Sequence, residues 1–169
     1  MGRIVVGIDD STGAQHALEW AAREAAAHGA TLEVVYVYEH DPSWMAYAFD
    51  EGMSAAQVEA VRERMREEAE EAHKHAHDVV DRMLAAAEIG DGVSTEAVVL
   101  EGRRPAARLV ELSAGADLLV VGSRGRGGFS GLLLGSVSQQ CVTHAECPVA
   151  VVREPAGAVP QSSSEPPLT

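Results

Sequence analysis

A strand that is apolar on both faces has one stable location, the interior of a sheet covered by helices on each side. The run Arg3-Ile4-Val5-Val6-Gly7-Ile8-Asp9 is of this kind, nearly continuous in β-branched residues and without polar alternation. It ends in Asp10-Ser11, either of which can cap a following helix whose apolar positions Ala14, Ala17, Leu18, Ala21, Ala22 and Ala25 keep a 3,4 spacing up to Gly29. A second run, Thr31 to Tyr38, follows that helix, and a helical crossover between two strands makes them parallel with a right-handed connection. The alternation continues: a helix from about Ala55 to Ala87, a strand from Val93 to Leu100, a helix opened by Pro105, a strand from Asp117 to Val121, a helix from Ser136 to about Ala145, and a strand from Cys147 to Arg153. Five strands alternating with four helices specify a single α/β domain, a doubly wound, Rossmann-like parallel sheet with helices on both faces. The expected strand order is 3-2-1-4-5. The domain is expected to occupy residues 1–153, and the proline- and serine-rich residues 154–169 are expected to be a disordered tail.

In such sheets ligands bind beyond the carboxyl ends of the strands, where the winding reverses. With that order, strands 1 and 4 flank the reversal. The first ends in Asp9-Asp10, and the fourth ends in Gly122-Ser123-Arg124-Gly125, the start of a glycine-rich loop that runs to Gly135-Ser136. A helix beginning at Ser136 directs unpaired backbone N–H groups and its positive dipole end into that loop, and glycines let an anion approach the backbone closely. The spacing Gly122-x2-Gly125-x9-Gly135-Ser136 is neither the dinucleotide fingerprint nor a Walker loop, because no Lys-Ser/Thr follows the last glycine.

This spacing resembles the nucleotide motif of the universal stress protein family, in its ATP-binding branch, and the resemblance extends over roughly residues 3–153. Val5-Val6-Gly7-Ile8-Asp9-Asp10-Ser11 is similar to the family's first strand and acidic turn, and Cys147-Pro148-Val149-Ala150-Val151-Val152 to its last strand. The resemblance implies that Asp9 and Val37 hold the adenine end of ATP and that Val121 and Gly122 lie by the ribose. It places Arg124, Gly125, Gly135, Ser136 and Val137 around the phosphates, with Gly7, Ile8, Asp10 and Ser123 completing the nucleotide-binding set. Asp9 or Asp10 is available to hold Mg²⁺. The implied function is regulatory ATP binding in a cytoplasmic stress response through a nucleotide-dependent dimer. A weak ATPase or phosphotransfer enzyme, and a nucleotide-free interaction module on the same fold, are the alternatives. Against catalysis, no Walker lysine is present and no general base stands beside the loop.

Charge narrows the partners. Asp and Glu outnumber Lys and Arg 26 to 13, and a net charge of −13 repels nucleic acid and anionic membranes. Arg103, Arg104, Arg108, Arg124 and Arg126 gather near the two late loops as a positive island suited to a small polyanion. Cys141 and Cys147 give no disulfide framework and read as small core residues rather than a redox couple. His73, His77 and Asp81 lie at i, i+4 and i+8, a spacing with a metal reading, but a solvated acidic helix face is the account the pattern favours. Residues 39–54 carry Trp44, Tyr47 and Phe49 in a loop that either covers a neighbouring pocket or partner or collapses on the surface. Finally, Val149-Ala150-Val151-Val152 would form an unguarded apolar sheet edge, so an antiparallel homodimer through residues 148–153 is expected.

Overall fold

The computed structural model describes residues 2–39, 53–125 and 133–154. Its elements are β1 (Arg3–Ile8), α1 (Thr12–His28), β2 (Thr31–Tyr38), α2 (Ala55–Ala86), β3 (Thr95–Glu101), α3 (Pro105–Ser113), β4 (Leu118–Gly122), α4 (Ser136–His144) and β5 (Val149–Val152). The sheet is parallel throughout and its order is β3-β2-β1-β4-β5, so the winding reverses between β1 and β4. The loop residues 40–52, the glycine-loop residues 126–132 and the proposed tail beyond Glu154 lie outside the described residues.

Alternation along the strands divides the core into two layers. Ile4, Val6 and Ile8 of β1, with Val34 and Tyr36 of β2 and Val120 of β4, pack under the alanine face of α1 and under Ala76, Val79, Val80 and Met83 of α2. Val5, Val35, Leu119 and Val121 point the other way and meet Leu109 of α3 and Cys141 of α4. The alanines let α1 lie close to the sheet: Ala17 and Ala21 are fully buried. Where α1 starts, the approach is closer still. A Cβ on Gly122 would stand 3.0 Å from the carbonyl carbon and oxygen of Gly13, and one on Gly13 would stand 3.0 Å from the Arg124 carbonyl oxygen.

The helix ends follow the sequence signals. Ser11, not Asp10, caps α1, its hydroxyl accepting from Ala14 N–H (3.1 Å), and Gly29 closes the helix at φ 61°. Ser54 and Gln57 form a capping box on α2. Strand limits shift inward: β1 stops at Ile8, so that Asp9 is a turn residue, and β5 begins only after Pro148, which has no N–H for the ladder. At the opposite end of the sheet Arg3 ties the layers together, its N–H donating to Asp117 Oδ2 (2.6 Å) across 114 residues and its guanidinium meeting buried Glu33 (3.0 Å).

The helix α2, expected from about Ala55 to Ala87, is buried only in its last third, at Ala76, Val79, Val80 and Met83. β2 is eight residues long, about 26 Å at 3.3 Å per residue, and cannot back a helix of 32 residues, about 48 Å at 1.5 Å per residue. The remainder carries Glu59, Glu63 and Glu68 paired with Arg62, Arg66 and Arg64 at i,i+3 and i,i+4 spacing.

Candidate functional site

A cavity of about 470 Å³ opens at the carboxyl ends of β1, β2 and β4, on the face covered by α3 and α4. One wall is apolar. Val35 and Val37 come from alternate positions of β2, Val121 from β4, and Pro105 and Leu109 from the first two turns of α3. Gly7 forms the floor because nothing larger fits: a Cβ there would meet Leu109 Cδ1 at 2.6 Å.

The other end is polar. Asp9, Arg124, Gly125, Gly135, Ser136, Val137 and Ser138 converge there. The N-cap position of α4 is Gly135 (φ −74°), which offers no side-chain cap, and the N–H groups of Ser136, Val137 and Ser138 have no intrahelical acceptor. An uncapped helix N-terminus is suited to an anion, and the backbone of Arg124 lies beside it, its Cα 3.5 Å from where a Cβ on Gly135 would stand. The end is rigidly held. Gly135 N–H donates to the Ser123 carbonyl (2.8 Å), the Ser138 hydroxyl donates to the same carbonyl (3.1 Å), and Ser123 N–H donates to the Val152 carbonyl (2.7 Å). Asp9 Oδ1 accepts from Ser11 Oγ–H (2.5 Å) and Ser11 N–H (3.2 Å), while Oδ2 lies directly over Gly125, where a Cβ would collide with it.

Of the thirteen positions named from sequence, the cavity brings together Gly7, Ile8, Asp9, Val37, Val121, Gly122, Arg124, Gly125, Gly135, Ser136 and Val137. Ser123 and Asp10 stand outside its lining. Ser123 supports the loop through its backbone, as described, and Asp10 turns to the opposite layer, pairing with Arg82 of α2 at 2.8 Å. Ala14, Val35, Pro105, Leu109 and Ser138 also line the cavity and were not singled out. Val35 had a visible signal, since it lies two residues before Val37 and must share its strand face. Leu109 and Pro105 had none, because only the folded chain lays α3 across Gly7.

The positive island is smaller than the sequence suggests. Arg103 pairs with Glu39 (3.0 Å) and Arg108 with Glu111 (2.9 Å), and Arg126 lies outside the described residues. Arg124 is the island's residue in the cavity lining. His73 and His77 meet edge to face at 4.6 Å between ring centres, with the Tyr38 hydroxyl 3.3 Å from His73 Nδ1, and no cluster of three or more metal-ligating side chains occurs among the described residues. Cys141 is fully buried in the α3/α4 layer, and burial pushes its thiol from 9.0 up to about 11. Among the described residues no helix is long and apolar enough to cross a membrane.

The fold and the cleft define a doubly wound α/β protein with an uncapped helix N-terminus at the winding reversal. Comparison with known proteins carries this further: residues 1–153 match the Universal stress protein family, and the chain belongs to it. A universal stress protein of Thermus aquaticus is 37% identical over 152 residues, covering 89% of this chain and 97% of its own. A universal stress protein of Mycobacterium tuberculosis strain H37Rv is 31% identical over 166 residues, covering 98% of this chain but 52% of its own, so the chain spans about half the length of that relative. Among solved structures, a universal stress protein in complex with cAMP is 27% identical with a TM-score of 0.54, the match covering 90% of this chain and 96% of that one.

Proposed function

We propose that this chain is a cytoplasmic ATP-binding universal stress protein that acts in stress signalling through a nucleotide-dependent homodimer. The observation that carries the reading is the pairing, within one cavity, of an apolar wall and an uncapped helix N-terminus with Arg124 beside it. An adenine nucleotide has that same polarity, an apolar planar base at one end and an anion at the other. The cavity volume lies within the usual range of about 300–1,000 Å³ for small-molecule sites. The related structure in complex with cAMP supports an adenine ligand.

In this reading the base lies against Val35 and Val37, with Asp9 accepting from its amino group or from a ribose hydroxyl, and Val121 and Gly122 border the ribose. Arg124, Gly125, Gly135, Ser136 and Val137 surround the phosphates, and Ser136 adds a hydroxyl to its N–H. Gly7 and Ile8 shape the floor, while Ser123 and Asp10 support the two loops from outside the lining. Asp9 is the carboxylate placed to serve a Mg²⁺ carried by the triphosphate. The edge strand Val149–Val152, half-buried and among the described residues paired only with β4, forms the dimer by pairing antiparallel with its own copy. The net charge of −13 disfavours nucleic acid and anionic membranes as partners.

The test is to denature the purified protein and identify released small molecules by mass spectrometry, followed by calorimetry of the emptied, refolded protein with ATP, AMP, cyclic AMP and GTP. Release of ATP and a preference for it over the other three support the reading. Absence of any adenine nucleotide, with no heat of binding at millimolar ligand, overturns it.

A further inference from the structure

The turn between β1 and α1 faces two ways. Asp9 enters the cavity, whereas Asp10, one residue later, has φ 63° and is the only non-glycine residue with positive φ among those described. Asp enters the left-handed region more readily than most L residues, and a fixed partner for its carboxylate selects that conformation over the alternatives. The holding contact is visible: Asp10 Oδ1 lies 2.8 Å from Nη2 of Arg82, an exposed side chain of the last third of α2, one residue before Met83 of the core. The other carboxylate near Arg82 is Asp78, one turn back on the same helix. Gln15 of α1 reaches the Met83 carbonyl (3.5 Å), so α1 and α2 meet beside this turn.

Because Asp9 and Asp10 are consecutive, a change in the backbone of Asp10 re-aims Asp9 and loosens its bonds to Ser11. We propose that Arg82 is a positioning residue for the nucleotide cavity: by holding Asp10 in its left-handed conformation it fixes the direction of Asp9, and it thereby couples the end of α2 to a bound adenine nucleotide. The inference rests on the nucleotide reading above. Coupling of this kind is reciprocal, so nucleotide must also steady the end of α2.

The experiment is a double-mutant cycle read by calorimetry with ATP on the full chain. Arg82→Ala should weaken ATP binding about three- to fivefold, the upper range for an exposed ion pair, and Arg82→Lys should recover part of the loss. Glycine adopts φ 63° without help. In the Asp10→Gly background, whatever affinity that protein has, Arg82→Ala should therefore change nothing. Hydrogen exchange supplies the reciprocal readout: ATP should slow amide exchange over residues 79–86 in the wild type and not in Arg82→Ala. A loss of affinity as large in the Asp10→Gly background as in the wild type would assign the effect to general charge attraction and overturn the proposal. So would unchanged affinity in Arg82→Ala, or a melting temperature that falls while affinity and exchange stay as in the wild type. A wild-type protein that binds no ATP would instead remove the nucleotide reading itself, and this inference with it.

Discussion

The glycines between β4 and α4 serve different physical needs, and Gly125→Ala separates them. At Gly125 the new Cβ runs into Asp9 Oδ2, the outer oxygen of a carboxylate whose other oxygen is already bonded to Ser11. Asp9 has only two side-chain torsions and cannot clear the methyl group while keeping both contacts. Hydrogen bonds to a charged acceptor are worth about 1.5–3 kcal/mol each, so loss of one sets the scale of the perturbation. Part of that falls on the turn and part on the ligand. If half falls on the ligand, ATP affinity drops by roughly 0.8–1.5 kcal/mol, about four- to twelvefold. Gly135→Ala is the internal control. Its Cβ would sit 3.5 Å from the nearest atom, Arg124 Cα, an ordinary contact, and φ −74° suits any residue. Changing the N-cap from glycine to alanine costs α4 about 0.5–1 kcal/mol, with affinity within about twofold of the wild type. Calorimetry with ATP measures the affinities and thermal melts the stabilities. Equal losses of affinity in the two variants, or a Gly125→Ala protein that binds as the wild type does, would refute the reasoning.

Gly122→Ala presses a methyl group against the Gly13 backbone, which cannot rotate away; it should destabilise the fold by about 1–3 kcal/mol, as overpacking does, seen as a lowered urea midpoint even without ligand. Asp9→Ala should weaken ATP by about 1–3 kcal/mol, and a variant that loses only melting temperature would make Asp9 a turn residue alone. The buried Cys141 thiol, raised to about 11, favours the folded state at pH values below its ordinary 9.0, and that contribution disappears as pH climbs from 9.0 towards 11. Urea titrations across that range should show a decline that Cys141→Ala flattens. Val151→Lys should turn a particle of about twice 17.8 kDa into monomer or aggregate by light scattering, and a wild-type protein that is monomeric at micromolar concentration would remove the edge-strand dimer.

The strand order and the two-faced core were legible because β1 and β4 are apolar on both faces, which leaves them no place but the centre. The glycine spacing identified the loop, and the chain order of Asp9 and Gly122 located the reversal. The partners supplied by distant elements were not legible. Leu109 closes the cavity floor because α3 crosses β1 beyond Gly7, a tertiary fact without a local pattern. The left-handed Asp10 was hidden for a related reason, since an Asp-Asp-Ser turn reads simply as a helix cap until Arg82 is known to sit across from it. The extent of α2 was legible: a period near 3.6 runs from Val58 to Ala87, the helix spans Ala55–Ala86, and β2, only eight residues long, leaves most of that helix overhanging the sheet.

The pairing of β1 with β4 sets an order of assembly. Arg3 and Asp117 meet across 114 residues, and most of the chain must leave the ribosome before that pair can form. At ordinary synthesis rates the interval is on the order of ten seconds, during which β1, α1, β2, α2 and β3 have no fourth strand to close the sheet's centre. The cavity does not exist in that interval, because Val121, Arg124 and the start of α4 all belong to the late half. A ligand of this cavity therefore recognises only completed chains. By mass action it withdraws them from the unfolded pool, so a nucleotide that binds here would also raise the yield of folded protein.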